Sequence, residues 1–101
     1  MKPTDKLIPS PDIVLREEFD DWALLFHTHT GEVIGTSPVG VAIWKLLDGT
    51  RTLEEVARVV KAQCEDAPDV DTVLGDTLTF ADDLQRRLFV VVKDEGQGRK
   101  K

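Results

Sequence analysis

Two histidines, one cysteine and several pairs of adjacent carboxylates are the side chains of this sequence whose types and spacing could do chemistry. His27 and His29 stand two apart. On a strand that spacing puts both rings on one face, where they could grip a metal ion. A zinc site needs further ligands, and only Glu32 and Asp20 lie near in sequence, so the pair reads as solvated turn histidines. Cys64 has no second cysteine, which excludes an internal disulfide and a spaced thiolate site. Asp20-Asp21, Glu65-Asp66 and Asp82-Asp83 have neither a nucleophile motif nor a metal pattern beside them and read as turns or solvated helix faces. The sequence also lacks a glycine-rich phosphate loop and a serine nucleophile elbow. The expectation is a chain with no catalytic residue, no metal and no cofactor.

Composition narrows the classes further. The chain has 101 residues, enough for one modest core. A hydrophobic share of 41% is that of a globular domain, not a disordered one. No apolar run approaches the roughly 18 residues that would cross a bilayer, and residues 1–12 contain no secretory h-region. A cytoplasmic protein with no membrane partner is expected. The net charge of −6 repels phosphate backbones, so nucleic acid is not an expected partner.

Pro3, Pro9 and Pro11 mark residues 1–12 as an extended lead-in. The ordered domain is expected over 12–93, with a polar, glycine-containing flexible tail over 94–101. Three strands come first: Ile13 to Glu18, Trp22 to Phe26, and Glu32 to Thr36. Asp20-Asp21 supplies one turn, and His27 to Gly31 supplies the other. Short polar turns favour an antiparallel meander. Ser37-Pro38 then starts a helix that Asp48-Gly49 ends. Thr52 and Glu55 form a capping box for a second helix. The third helix is expected from a cap at Asp71 to about Arg87. Its inner stripe is Val73, Thr77, Phe80, Ala81, Leu84 and Leu88, widened by Leu74 and Leu78, while Asp76, Thr79, Asp82, Asp83 and Arg86 face away. Phe89 to Val92 closes the core as a strand or an extended segment. Trp22 and Trp44 read as core anchors, with Trp44 partly exposed as a candidate contact for another protein. The fold class is α+β and winged-helix-like: a three-stranded antiparallel sheet followed by three helices.

These residues carry a family resemblance. Leu15-Arg16-Glu17-Glu18, Trp22-Ala23-Leu24-Leu25 and Thr30-Gly31 resemble the opening of the PqqD family. Pro38 to Gly49, with its Ile43-Trp44-x-Leu46-Leu47-Asp48-Gly49 stretch, is the most specific part of the likeness. Phe80, Leu84, Leu88, Phe89 and Val90 resemble the family's third helix and exit. The likeness spans about residues 12–92. The chain departs from it at Thr36-Ser37, where many relatives carry Leu-Asn, and at Phe89, where they often carry Gly. The resemblance implies a non-catalytic recognition element for ribosomally made, post-translationally modified peptides. Its implied partners are the leader of a precursor peptide and a modifying enzyme, often a radical SAM maturase. The leader is implied to lie between the third strand and the third helix. That makes Glu32, Val33, Ile34, Gly35 and Thr36 the strand side of the site, and Leu74, Thr77, Leu78, Ala81, Leu84 and Gln85 the helix side.

The residues support this reading independently. In a meander the first and third strands are edges. Arg16, Glu17 and Glu18 discourage another chain from pairing with the first. The third carries only Glu32 and offers itself for strand addition. A covering helix or loop, or a weak strand-swapped homodimer, would occupy the same edge. Two other readings compete: a winged-helix DNA-binding regulator, whose recognition helix would need Arg and Lys in place of Asp76, Asp82 and Asp83, and a structural accessory subunit of the modifying enzyme.

Overall fold

The computed structural model describes residues 1–18, 22–64 and 67–93. The expected Asp20-Asp21 turn, the Glu65-Asp66 pair and the tail after Lys93 lie outside the described residues. The elements are β1 (Leu7–Pro9), β2 (Ile13–Glu17), β3 (Ala23–His27), β4 (Val33–Thr36), α1 (Pro38–Leu46), α2 (Leu53–Gln63), α3 (Val70–Arg86) and β5 (Val90–Val92). β2, β3 and β4 form an antiparallel sheet in that order, and the three helices follow. The fold is α+β and winged-helix-like.

The sheet has one face against the helices and one face open. Along β3, Ala23, Leu25 and His27 are buried, whereas Phe26 is 39% exposed. β3 is therefore the central strand of the meander, but its apolar run is covered on one side only. Gly31 closes the turn to β4 with φ of 78°, donating its N–H to the His27 carbonyl at 2.9 Å.

The chain passes from β4 into α1 with no room to spare. Ser37 caps the helix by accepting the Gly40 N–H at 3.2 Å, and Pro38 takes the first helical position. A Cβ on residue 40 would stand 1.9 Å from Thr36 Oγ1, so the glycine that weakens the first turn is required by this close approach. The Thr52–Glu55 capping box of α2 is formed in both directions, at 3.1 and 2.8 Å. α3 begins two residues earlier than the Asp71 cap implied, with Asp69 in the N-cap position.

Residues 1–12 do more than lead into the sheet. β1 pairs antiparallel with β5, with Leu7 opposite Val92 and Pro9 opposite Val90. Leu7 is fully buried in the same core as Leu25, Trp44, Leu53, Val56, Leu84 and Phe89. The Leu53 and Glu54 N–H groups, orphans of the first turn of α2, donate to the Asp5 and Pro3 carbonyls at 2.9 Å. The pairing of β1 with a strand 83 residues or so further on carries no local sequence signal. Trp44 and Trp22 also divide differently from expectation: Trp44 is 8% exposed in the core, whereas Trp22 is 52% exposed.

α3 ends in a Schellman motif. The Phe89 N–H reaches the Leu84 carbonyl at 2.9 Å and the Leu88 N–H reaches Gln85 at 3.1 Å. Buried Phe89 packs in the same cluster as buried Leu84, the apolar contact that accompanies this motif. The residue forced into the left-handed region is Leu88, with φ of 64° and 68% exposure. A left-handed leucine costs about 1–2 kcal/mol and this one buries little in return. Leu88→Gly is therefore expected to raise the unfolding free energy by about 1 kcal/mol, read from urea denaturation; an unchanged or lower midpoint would contradict the strain.

Three carboxylates titrate below their ordinary values. Thr50 holds Asp48 down through its hydroxyl and its backbone, the Thr52 backbone N–H holds Glu55 down, and the Thr72 hydroxyl holds Asp69 down. Each binds its proton more weakly folded than unfolded, so its contribution is complete above the ordinary carboxylate value and is lost as pH falls through the folded value. The urea midpoint is expected to stay level down to about pH 5 and then decline. Thr52→Val, which removes the hydroxyl of the capping box, is expected to make that decline shallower.

Candidate functional site

The outer edge of β4 is where the fold leaves backbone groups unused. The His27 N–H donates to the Glu32 carbonyl at 2.9 Å, which makes that pair a hydrogen-bonded one. Pairs alternate along an antiparallel ladder, so Ile34 opposite Leu25 and Thr36 opposite Ala23 also bond to β3. Val33 and Gly35 then turn their N–H and C=O groups to the other side. Among the described residues no strand pairs with that side. Two consecutive outward-facing residues, one of them without a side chain, form a short open template.

The side chains of β4 sort by face. Ile34 and Thr36 point toward the helices: Thr36 is 5% exposed and Ile34 packs against the core. Val33 is 49% exposed on the opposite face, and Gly35 is exposed there too. Of the five strand residues expected in the site, Val33 and Gly35 supply the free backbone, Glu32 supplies a charge, and Ile34 and Thr36 belong to the packing beneath.

α3 flanks this edge with a different stripe from the one expected. A cavity of about 430 Å³ lies beside β4, lined by Gly35, Thr36, Val39, Ile43 and Pro68 and by Asp76 and Phe80 of α3. Two turns further along, Arg87 pairs with Glu32, so the C-terminal end of α3 is tied to the start of β4. Asp76, Phe80, Asp83 and Arg87 are spaced four, three and four apart and fall on one stripe. Leu74, Leu78 and Gln85 lie roughly 160° away around the helix at 100° per residue. Between the two stripes sit Val73, Thr77, Ala81 and Leu84, all buried. Thr77 Oγ1 donates to the Val73 carbonyl at 2.7 Å, so its burial leaves nothing unsatisfied.

Several expected positions therefore separate. Thr77, Ala81 and Leu84 are core, and Leu74 and Leu78 are half-buried against that core. Gln85 is exposed and opens with Thr79, Asp82 and Arg86 onto a hollow on the far side of α3. Asp76 and Asp83, expected to face away, join Phe80 on the flank toward β4. The missed signal was present in the sequence as the single aromatic of the helix, Phe80, four residues from Asp76 and three from Asp83. A helical wheel alone cannot say which edge of the core stripe the sheet will meet.

The electrostatics of the groove are mixed. Asp83 accepts from Arg87 Nε at 3.0 Å and from Arg86 at 3.2 Å. The Asp83 hydrogen bond, more than Glu32, raises the Arg87 pKa, so its guanidinium is charged at every working pH. Asp83, Arg87 and Glu32 thus close one end of the groove with an ionic clasp. Asp76 stands at the other end beside the cavity.

The histidines are structural. His27 is 6% exposed, with its ring 5.7 Å from that of Phe89, and its Nδ1 accepts the His29 and Thr30 N–H groups at 3.2 and 3.3 Å. It is a buried turn organiser, not a solvated residue. His29 is exposed, with Nε2 3.4 Å from Asp12. No cluster of three metal-ligating side chains occurs among the described residues, and no described helix is long and apolar enough to cross a membrane.

Comparison with curated proteins finds no match. Among solved structures, TbiB1 in complex with the TbiA(beta) leader peptide is similar, with a TM-score of 0.69 and 27% sequence identity. The likeness covers 87% of this chain and 99% of TbiB1. The family model described as coenzyme PQQ synthesis protein D (PqqD) matches residues 23–90, from the first residue of β3 to the first of β5. That span takes in the β4 edge, both walls of the groove and the whole helical layer, and on it the chain belongs to the PqqD family.

Proposed function

We propose that this chain is a non-catalytic adaptor that binds the leader of a ribosomally made precursor peptide as an added strand on β4 and presents the precursor to a modifying enzyme. The observation that carries this reading is the β4 edge, unpaired among the described residues, with the Val33 and Gly35 backbone groups turned outward beside the cavity under Phe80. The similarity to TbiB1, solved with a leader peptide bound, supports the same ligand class.

The energetics suit an extended peptide. Outward N–H and C=O groups on Val33 and Gly35 offer up to four backbone hydrogen bonds, each worth about 1 kcal/mol net. One large apolar leader side chain in the cavity contributes about 1.5–3 kcal/mol, and a second contact against Phe80 a similar amount. Micromolar binding needs about 8 kcal/mol, and ordering the leader takes back a few. Affinity no tighter than the micromolar range follows. Asp76 and the Glu32 carboxylate at either end of the groove favour a leader with little negative charge at the contact itself.

The adaptor acts in the cytoplasm, where ribosomal precursors are released, and works as a monomer whose open edge permits weak strand exchange. The implied modifying enzyme is a radical SAM maturase. A DNA-binding role is disfavoured by the net charge of −6 and by Asp76, Asp82 and Asp83 on the exposed sides of α3.

An NMR titration with the precursor tests the reading. Shifts are expected at Val33, Gly35, Asp76, Phe80 and Arg87, and not at Leu74, Leu78 or Gln85. Binding that maps to α1 and α2, or no binding at high micromolar peptide, would refute it. Gly35→Pro removes one outward N–H without touching a β3–β4 hydrogen bond, and proline is tolerated on such an edge. It is expected to weaken leader binding about fivefold while the thermal transition persists. Phe80→Ala is expected to weaken binding by a similar factor with a lower melting temperature, because Phe80 is also packed on the core.

A further inference from the structure

The open face of the sheet carries an apolar patch that the leader site does not use. Val14 of β2, Phe26 of β3 and Val33 of β4 stand opposite one another in register across all three strands. Their exposures are 48%, 39% and 49%. The next row holds Arg16, Leu24 and Gly35, and Trp22, 52% exposed, lies two residues before Leu24 on the same face. Val14, Arg16, Leu24, Phe26 and Val33 together line a hollow of about 430 Å³. Gly35 leaves Leu24 uncovered: a Cβ there would only just touch the Leu24 side chain, at 4.0 Å. Arg16 is 76% exposed and held by Glu18 at 3.1 Å. A tryptophan and an arginine flanking a hollow of aliphatic and aromatic side chains is the composition of an interface centre, where those residues carry most of the binding energy.

We propose that this face is the docking surface for the enzyme that modifies the bound precursor, a partner presenting an apolar surface with a carboxylate for Arg16. This rests on the reading of β4 as the leader edge. Three observations point to that occupant. The patch is continuous with the β4 edge through Val33, so a leader strand added there would extend the same sheet and set its own alternate side chains beside Val33. The exposed apolar area is on the order of a few hundred Å², below the ~800 Å² per partner of a stable complex. A leader strand added at β4 would enlarge this surface beyond the patch alone, so the enzyme is expected to bind the loaded adaptor in preference to the empty one. A second copy of the chain would meet the patch with the same small area and with a like net charge of −6.

The test uses the full chain, its precursor and the enzyme that acts on that precursor. Val14→Lys and Arg16→Glu alter exposed side chains on β2, the strand farthest from the leader edge. Both variants are expected to melt as the parent does and to keep leader affinity within about twofold. The loaded parent is expected to bind the enzyme at least about tenfold more tightly than the empty parent, and both variants to lose about tenfold or more of that affinity. Unchanged enzyme affinity in both variants would overturn the proposal. So would a parent that sediments as a dimer at micromolar concentration while both variants sediment as monomers, since the face would then belong to a second copy. A parent that binds the enzyme through this face but binds no precursor would overturn the leader reading and, with it, the preference for the loaded state, while the variants' loss of enzyme affinity would uphold the face as the docking surface.

Discussion

Val73, Thr77, Ala81 and Leu84 seat α3 in the core, and the rotation they impose on that helix sets the chemistry of the groove. Two of the four are small, which lets the helix lie close to its neighbours, and Thr77 bonds to its own backbone so that no polar group is stranded. With this stripe inward, one flank of the helix must turn toward β4 and the other away from it. The flank toward β4 carries Asp76, Phe80, Asp83 and Arg87. A rotation of roughly 160° would exchange this partly ionic wall for the aliphatic one of Leu74 and Leu78. The Arg87–Glu32 pair ties the same helix to the strand it faces and fixes the spacing of the groove at one end.

The sheet shows how a three-stranded meander divides its surfaces. Its inner face is spent on the core through Leu25 and the half-buried Ile13, Leu15 and Ile34. Its β2 edge is defended by charge, with Arg16 and Glu18 paired and Glu17 held by Lys45 at 3.1 Å. That leaves the β4 edge and the outer face, and neither is defended. The edge offers backbone hydrogen bonds without much shape. The face offers apolar area without directed bonds. The two meet at Val33, whose backbone faces the edge and whose side chain lies on the face, so occupancy of one changes the surface presented by the other.

The first dozen residues and the last described strand close the opposite end of the fold. β1 and β5 are short, and a two-stranded ribbon of this length is marginal by itself. It is held because Leu7 and Val90 are buried with Phe89, and because the N-terminal segment satisfies orphan N–H groups of α2. The Schellman turn at Leu88 is what aims Phe89 inward and β5 toward β1. The left-handed backbone there is tolerated by a leucine because the alternative is to lose the packing of Phe89.

What could be read from the order of residues was what depends on neighbours in the chain. The strand–strand–strand–helix–helix–helix order, the caps at Ser37 and Thr52, the Gly31 turn and the contrast between a charged and an uncharged edge all follow from local pattern, and the likeness to the PqqD family followed from the Ile43-to-Gly49 stretch in that setting. Tertiary structure decided what depends on distant partners. It paired Leu7–Pro9 with Val90–Val92, buried Trp44 and exposed Trp22, turned His27 into the core, and chose Phe80 and its acidic neighbours over Leu74 and Leu78 as the wall beside β4. The physical reason is the same in each case. Periodicity tells which side chains share a face, whereas the direction that face takes is set by packing against elements tens of residues away.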